Sequence, residues 1–254
     1  MFDCHVHSSF STDCRTDIKD IVKKGKESDI GITITDHLDL NFPRPNEFVF
    51  DFDNYFNEYT KYRSDRLLIG VEMGMQQCCC EENKKAVNKY PFDCVMGSIH
   101  LIYGEDVFDQ SIYEGRNKKD IYERYFKCML DCIKDYDFID SLSHIDYIAR
   151  YAPYADSEIY YDEFCDYIDS ILKILVERGQ SIEINSRRLG EKKVYEPLIR
   201  IYKRFYELGG RTVTLGSDSH STAGIGKHFD AAYEIAEKCG LKVVYYKERT
   251  PKYI

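Results

Sequence analysis

Short apolar or β-branched runs alternate along this chain with longer stretches in which apolar residues recur at helical spacing, and the alternation predicts strand and helix about seven times over 254 residues. The opening run reaches His5 and His7. Thr16 reads as the N-cap of a helix extending to about Asp29, with Asp17 and Asp20 in its first turn and lysines later. Gly31-Ile32-Thr33-Ile34-Thr35 predicts a strand that stops at Asp36-His37. A second helix is expected over Asp51 to Arg63, a third strand over Leu67 to Val71 stopping at Glu72, and a fourth over Asp93 to Ile99 stopping at His100. Between Asn117 and Lys134 the positions Tyr122, Phe126, Met129, Leu130 and Ile133 form one apolar helix face. Phe138 to Ser143 then leads into His144. A helix from Tyr161 to Arg178 carries Phe164, Ile168, Ile171, Leu172 and Leu175 on one face and stops at Gly179. Ser181 to Ile184 delivers Asn185, Ser186 and Arg187; after a helix through Glu207, Thr212 to Gly216 delivers Ser217, Asp218, Ser219 and His220. A last helix, about Asp230 to Cys239, and an edge-like segment from Lys242 to Tyr246 complete the pattern.

Two α/β architectures suit this order, a closed parallel barrel and an open parallel sheet. Nearly every predicted strand ends in His, Asp or Glu, and in a closed barrel those ends share one face, where active sites are assembled. An open sheet would spread seven ends along a line too long to meet at one ion. Closure is therefore expected, with residues 1–254 as a single domain.

Composition narrows the function. With 43% hydrophobic and 31% charged residues the chain can bury a large core. A formal charge of -9 argues against a nucleic-acid partner, which needs a basic stripe. No run of about 18 apolar residues exists, so no membrane span is expected. Ten scattered cysteines in a chain of this size, with no signal peptide ahead of Met1-Phe2-Asp3, predict a reducing cytoplasm. Cys78-Cys79-Cys80 cannot act as spaced metal ligands, and Cys128 and Cys132 read as buried small hydrophobes.

Six of the seven histidines, His5, His7, His37, His100, His144 and His220, fall at or just beyond strand ends; only His228 lies elsewhere. Packing has no reason to choose imidazole at those places, and Asp13, Glu72 and Asp218 accompany them. Nitrogen and carboxylate donors in this mixture suit zinc, manganese or iron better than calcium or magnesium.

His5-x-His7 after a first strand, Asp36-His37 after the second, Glu72, Gly97-Ser98-Ile99-His100, His144-Ile145-Asp146 and Asp218-Ser219-His220 together resemble the polymerase and histidinol phosphatase (PHP) superfamily along the whole chain. The resemblance implies a distorted seven-stranded (β/α) barrel, TIM-like in plan, carrying three divalent metal ions. Position by position, it implies His5, His7, Glu72 and Asp218 on the first ion, with Glu72 bridging to a second completed by His100 and His144. Asp13, His37 and His220 would hold the third. It also implies hydrolysis of a phosphate monoester, most narrowly L-histidinol phosphate in histidine biosynthesis, with inorganic phosphate as product. The six positive charges of three divalent ions are matched by three carboxylates, one hydroxide and a phosphate dianion, so such a site is neutral with substrate bound. In-line attack by a hydroxide bridging the first two ions is the expected chemistry, with the third anchoring phosphate.

Arg150 and Arg187 are expected to grip phosphate through forked donors, with Arg188 competing because neighbours on an extended segment point opposite ways. Asp218 or His220 is the expected source of the proton for the leaving alkoxide. Asp39, Glu47, Asp106 and Asp109 are available near the strand ends for a cationic substrate. Alternative readings are a PHP phosphoesterase acting on nucleotides, oligonucleotides or phosphotyrosine protein, and a non-enzymatic metal-binding module.

Overall fold

The computed structural model describes residues 1–254. Its first half holds β1 (Phe2–Val6), α1 (Ile18–Glu27), β2 (Gly31–Ile34), β3 (His37–Leu38), α2 (Phe52–Tyr59), β4 (Leu67–Gly74), α3 (Cys80–Lys89) and β5 (Cys94–Ser98), then a small hairpin of β6 (Leu101–Ile102) and β7 (Glu105–Asp106). There follow α4 (Lys118–Asp135), β8 (Ser141–Leu142), α5 (Tyr161–Arg178), β9 (Ser181–Asn185), α6 (Lys192–Glu207), β10 (Thr212–Gly216), α7 (Phe229–Cys239), β11 (Lys242–Lys247) and β12 (Thr250–Tyr253).

Seven strands lie side by side in the order β1-β2-β4-β5-β8-β9-β10, every pair parallel. The ends of β10 and β1 then meet: Val6 and Ser219 form a parallel bridge, Asp218 N–H donates to His5 O at 2.8 Å, and His7 N–H donates to Ser219 O at 2.9 Å. The result is a distorted α/β barrel, closed only where it carries the strand-end residues. At the other end β11 pairs with just Thr212 and Val213 of β10 and turns back as an antiparallel hairpin with β12.

Alternation explains the layers. In β9, Ile182 and Ile184 join a core cluster of 62 buried residues, and the intervening Glu183 takes the opposite face. Helix α4 lays Ile121, Tyr122, Tyr125, Phe126, Met129 and Ile133 against the same core, and its first turn is capped by Asn117, which accepts from Asp120 N–H. Helix α5 stops where Gly179 turns left-handed at φ 67°. No helix is long and apolar enough to cross a membrane.

Several boundaries differ from the sequence reading. Asp17, not Thr16, caps α1, because the Thr16 hydroxyl is engaged in donating to His220 O at 3.0 Å. Strand β4 continues through Glu72 to Gly74, so Glu72 lies within a strand, as does His5. The expected helix from Asp51 ends at Tyr59 and tightens into a 3-10 turn. Helix α3 prints no apolar period because only Cys80, Asn83 and Val87 are buried along ten mostly polar residues. All ten cysteines are free thiols; Cys128 and Cys132 are buried, and no cysteine belongs to a donor cluster.

Candidate metal centre

Five imidazoles face the two carboxylate oxygens of Glu72. His5 Nε2, His7 Nε2 and His37 Nδ1 stand 3.1, 3.4 and 2.9 Å from Oε2, while His100 Nε2 and His144 Nε2 stand 3.1 and 2.8 Å from Oε1. Strand periodicity brings His5 and His7 to one face, and the β1–β2 register shifts between Asp3 and Val6 just where they are needed. Asp218 Oδ1 adds an acceptor 3.3 Å from His7 Nε2, and Asp13 Oδ2 lies 3.0 Å from His220 Nε2 and 3.8 Å from His37 Nε2. The nine side chains singled out as donors from the sequence therefore stand in one cluster at the carboxyl ends of the strands. Within it, the donor atoms of His5, His7 and Glu72 lie within 4.8 Å of one another, as do those of Glu72, His100 and His144, and those of His7, His37 and His220.

The cluster is built to receive positive charge. His5, His7 and Glu72 are fully buried, yet His5 Nε2, His7 Nε2, His37 Nδ1 and Glu72 Oε2 have no hydrogen-bond partner despite pointing at one another. Buried polar atoms left this way are costly unless a cation sits among them. Burial by itself would strip protons from His5 and His100, but Glu72 with Glu183 for the first ring, and Asp39 with Glu72 for the second, hold both well above the usual imidazole value. Burial likewise opposes ionisation of Glu72, and the rings of His5, His100 and His37 overcome it. His7 shifts the other way, since burial and the neighbouring His220 and His37 rings all disfavour its charge. Imidazole nitrogens and carboxylate oxygens converging in a dry pocket fit divalent zinc, manganese or iron.

Arginines border this cluster on the open side. Arg150, on a 3-10 turn over Tyr147–Arg150, pairs with Asp218 through Nη1, and its Nε and Nη2 are buried without a partner. Arg187 Nη1 donates to Asp218 O at 2.8 Å and remains 44% exposed. Arg188 turns away to Asp146 at 2.7 Å and Glu158 at 2.6 Å, so it does not compete with Arg187. A cavity of about 280 Å³ adjoins them, lined among others by Asp13, Asp39, Phe42, Phe48, Asp106, Phe108, Tyr151 and Arg187. Asp39 and Asp106 thus lie at the cavity, whereas Glu47 pairs with Arg44 and Asp109 caps a 3-10 turn.

The PHP domain model matches residues 3–187, well over half of the chain. The chain belongs to the PHP family. Over its full length this PHP protein is 52% identical to a probable histidinol-phosphatase of Clostridium acetobutylicum, covering 99% of that protein. It is 31% identical to the histidinol-phosphatase of Lactococcus lactis over 86% of this chain and 83% of that one. The crystal structure of a Lactococcus lactis histidinol phosphate phosphatase, complexed with zinc, L-histidinol and phosphate, superposes with a TM-score of 0.90 at 28% identity, covering 99% of this chain and 98% of the other.

Around the PHP donors stand supporting groups to which the sequence pattern assigns no such role. Asp39 faces His100 Nδ1 at 2.9 Å, and Glu183 faces His5 Nδ1 at 2.8 Å. Asp36 accepts from both the N–H and the hydroxyl of Ser8 and of Ser11, and Ser11 Oγ lies 3.0 Å from His7 Nδ1. Glu183 did carry a signal, a lone charge at the centre of Ile182-Glu183-Ile184.

Proposed function

We propose that this chain is a metal-dependent phosphomonoesterase that hydrolyses L-histidinol phosphate to L-histidinol and inorganic phosphate, a step of histidine biosynthesis in the cytoplasm. One observation carries the reading: a buried cluster of metal-donor side chains opens, past two arginines, into a cavity with aromatic and acidic walls. Relatives matched nearly end to end bear the histidinol-phosphatase name, and the one solved with zinc, L-histidinol and phosphate shares the fold throughout. Because the donors come from β1 and β10, near opposite ends of the chain, residues 1–254 act as one domain.

His5, His7, Glu72 and Asp218 would hold one ion, with Glu72 shared by a second that His100 and His144 complete; Asp13, His37 and His220 would hold a third. Bound divalent ions supply a water that is nucleophilic near neutral pH and positive charge against the phosphoryl oxygens. Arg150 offers its two unpartnered donors, Nε and Nη2, to the phosphoryl group, and Arg187 adds a second fork from the solvent side. Asp218, held ionised beside Arg150 and His5, has no proton to give, so His220 is left to deliver the proton that the leaving alkoxide needs. The aromatic walls take the imidazole of histidinol, and Asp106, loosely paired with Arg44 at 3.4 Å on the cavity wall, faces its cationic amine.

Phosphate release from L-histidinol phosphate, a mononucleotide, a short oligonucleotide and a phosphotyrosine peptide checks the assignment. The expected order puts histidinol phosphate first by a wide margin, with activity lost on chelation and restored by zinc or manganese. Equal turnover by chelator-stripped enzyme, or a preference for the oligonucleotide, would sink it.

A further inference from the structure

Glu183 is fully buried at the centre of β9, and the structure gives it no lysine or arginine partner; its one ion-pair contact is His5. Its Oε1 lies 2.8 Å from His5 Nδ1, and its Oε2 accepts the His144 N–H at 2.7 Å and the Asn185 amide at 3.1 Å. Space for this carboxylate depends on Gly216 of β10, where a Cβ would stand 2.0 Å from Oε1 and 2.5 Å from the His5 Cβ. Residues of β1, β9 and β10 and the segment just after β8 therefore meet at one side chain.

The other edge of the His5 ring faces Glu72 at 3.1 Å and Asp218 at 3.8 Å. A neutral imidazole carries one proton, and a carboxylate at 2.8 Å from Nδ1 draws it there, leaving the Nε2 lone pair aimed between Glu72 and Asp218. His144 has no partner on its Nδ1, so the N–H it gives to Glu183 anchors it instead. His7, by contrast, backs onto only a hydroxyl, Ser11 Oγ at 3.0 Å.

We infer that Glu183 is a positioning residue of the metal centre: it keeps the His5 proton on Nδ1 and ties that ring to the His144 backbone, holding donors of two neighbouring ion positions with a single carboxylate. The inference rests on the metal-centre reading proposed above. It assigns Glu183 to ion retention, not to contact with substrate.

The test uses the full chain loaded with zinc, comparing wild type with Glu183→Gln, which keeps shape and removes the charge. Competition against a graded chelator should show ions held about 10–100-fold more weakly in the variant. Its kcat should fall with KM unchanged, and excess zinc should restore most of the loss. The urea midpoints of wild type and variant should differ more when both are zinc-loaded than when both are stripped. Identical metal stoichiometry and chelator competition in the two proteins would overturn the inference. Should Glu183→Gln fail to fold, nitrogen-15 spectra of the histidines in zinc-loaded wild type decide: a downfield His5 proton on Nδ1 supports the assignment, and a proton on Nε2 overturns it. Wild type that binds no zinc at all would remove the metal-centre reading itself, and the inference with it.

Discussion

Asp218 adopts a left-handed backbone, φ 52°, where β10 ends, and its side chain is drawn between Arg150 on one oxygen and His5 and His7 on the other. Such a conformation costs on the order of 1–3 kcal/mol in a non-glycine residue, least for Asp and Asn, and it aims the carboxylate into the cluster. Burial opposes its charge, but Arg150 and then His5 hold Asp218 well below the ordinary carboxylate range. Arg150 and Arg187 differ in a way that kinetics can read. Arg150 is almost wholly enclosed with two idle donors, so Arg150→Met should lower kcat by about 10²–10³-fold, the scale for removing a buried donor from a developing charge. Arg187 is largely solvated, so Arg187→Met should act mainly on KM, by roughly tenfold or less. Steady-state kinetics on L-histidinol phosphate separate the two, and equal effects would contradict the assigned geometry. That Arg187 and not Arg188 reaches the site was undecidable in the sequence. The two arginines lie not on an extended segment but in a turn, where Leu189 N–H donates to Ser186 O at 3.0 Å, and the buried acids Asp146 and Glu158 draw Arg188 away from the site.

Among the elements, the β11–β12 hairpin shows why some structure escapes a local reading. Its two-residue turn, Glu248-Arg249, has φ of 50° and 61°, conformations that normally advertise themselves as Asn-Gly or Asp-Gly. Here distant contacts offset the strain: Glu248 N–H donates to Asp93 Oδ1 at 3.0 Å, and Arg249 donates to Asp140 and to Phe138 O. Asp140 also accepts the Val95 N–H at 2.7 Å, which joins hairpin, β5 and β8 at one carboxylate. Burial pushes the Asp140 carboxyl up to about 6, against the pull of Arg249. Between its ordinary value near 4 and 6, the folded chain keeps a proton that the unfolded chain has released, so stability falls as pH rises through that window and levels off above it. In urea unfolding with chelator present throughout, wild type should lose about 2–3 kcal/mol relative to Asp140→Asn between pH 4 and pH 7. A difference that stays flat with pH would contradict the shift.

Over the whole molecule, charge balance links the acidic chain to an anionic substrate. In the proposed three-ion site the three carboxylates named from the sequence would balance three ions, a hydroxide and a phosphate dianion; buried Asp39 and Glu183 each face an imidazole behind the donors, and Arg150 and Arg187 bring positive charge to the open side. Ions held between β1 and β10, as proposed, would bind only the closed barrel. At free metal about a thousandfold above its dissociation constant a single such ion should add about 4 kcal/mol, which for a chain of this size raises the unfolding temperature by roughly 10 °C, and each further ion adds to it. Calorimetry with and without chelator measures it, and coincident transitions would place the ions outside the fold's closure. By itself, the order of residues determined the parallel α/β class and which nine side chains gather at the strand ends, because strand periodicity decides which side chains face inward whatever strand lies alongside. Tertiary structure alone decided how β1 meets β10, which ring nitrogen faces Glu72, and which second carboxylates stand behind His5 and His100. Those are distances between residues as far apart as His5 and Glu183, 178 positions along the chain, and no local pattern encodes a separation that only the closed barrel brings down to 2.8 Å.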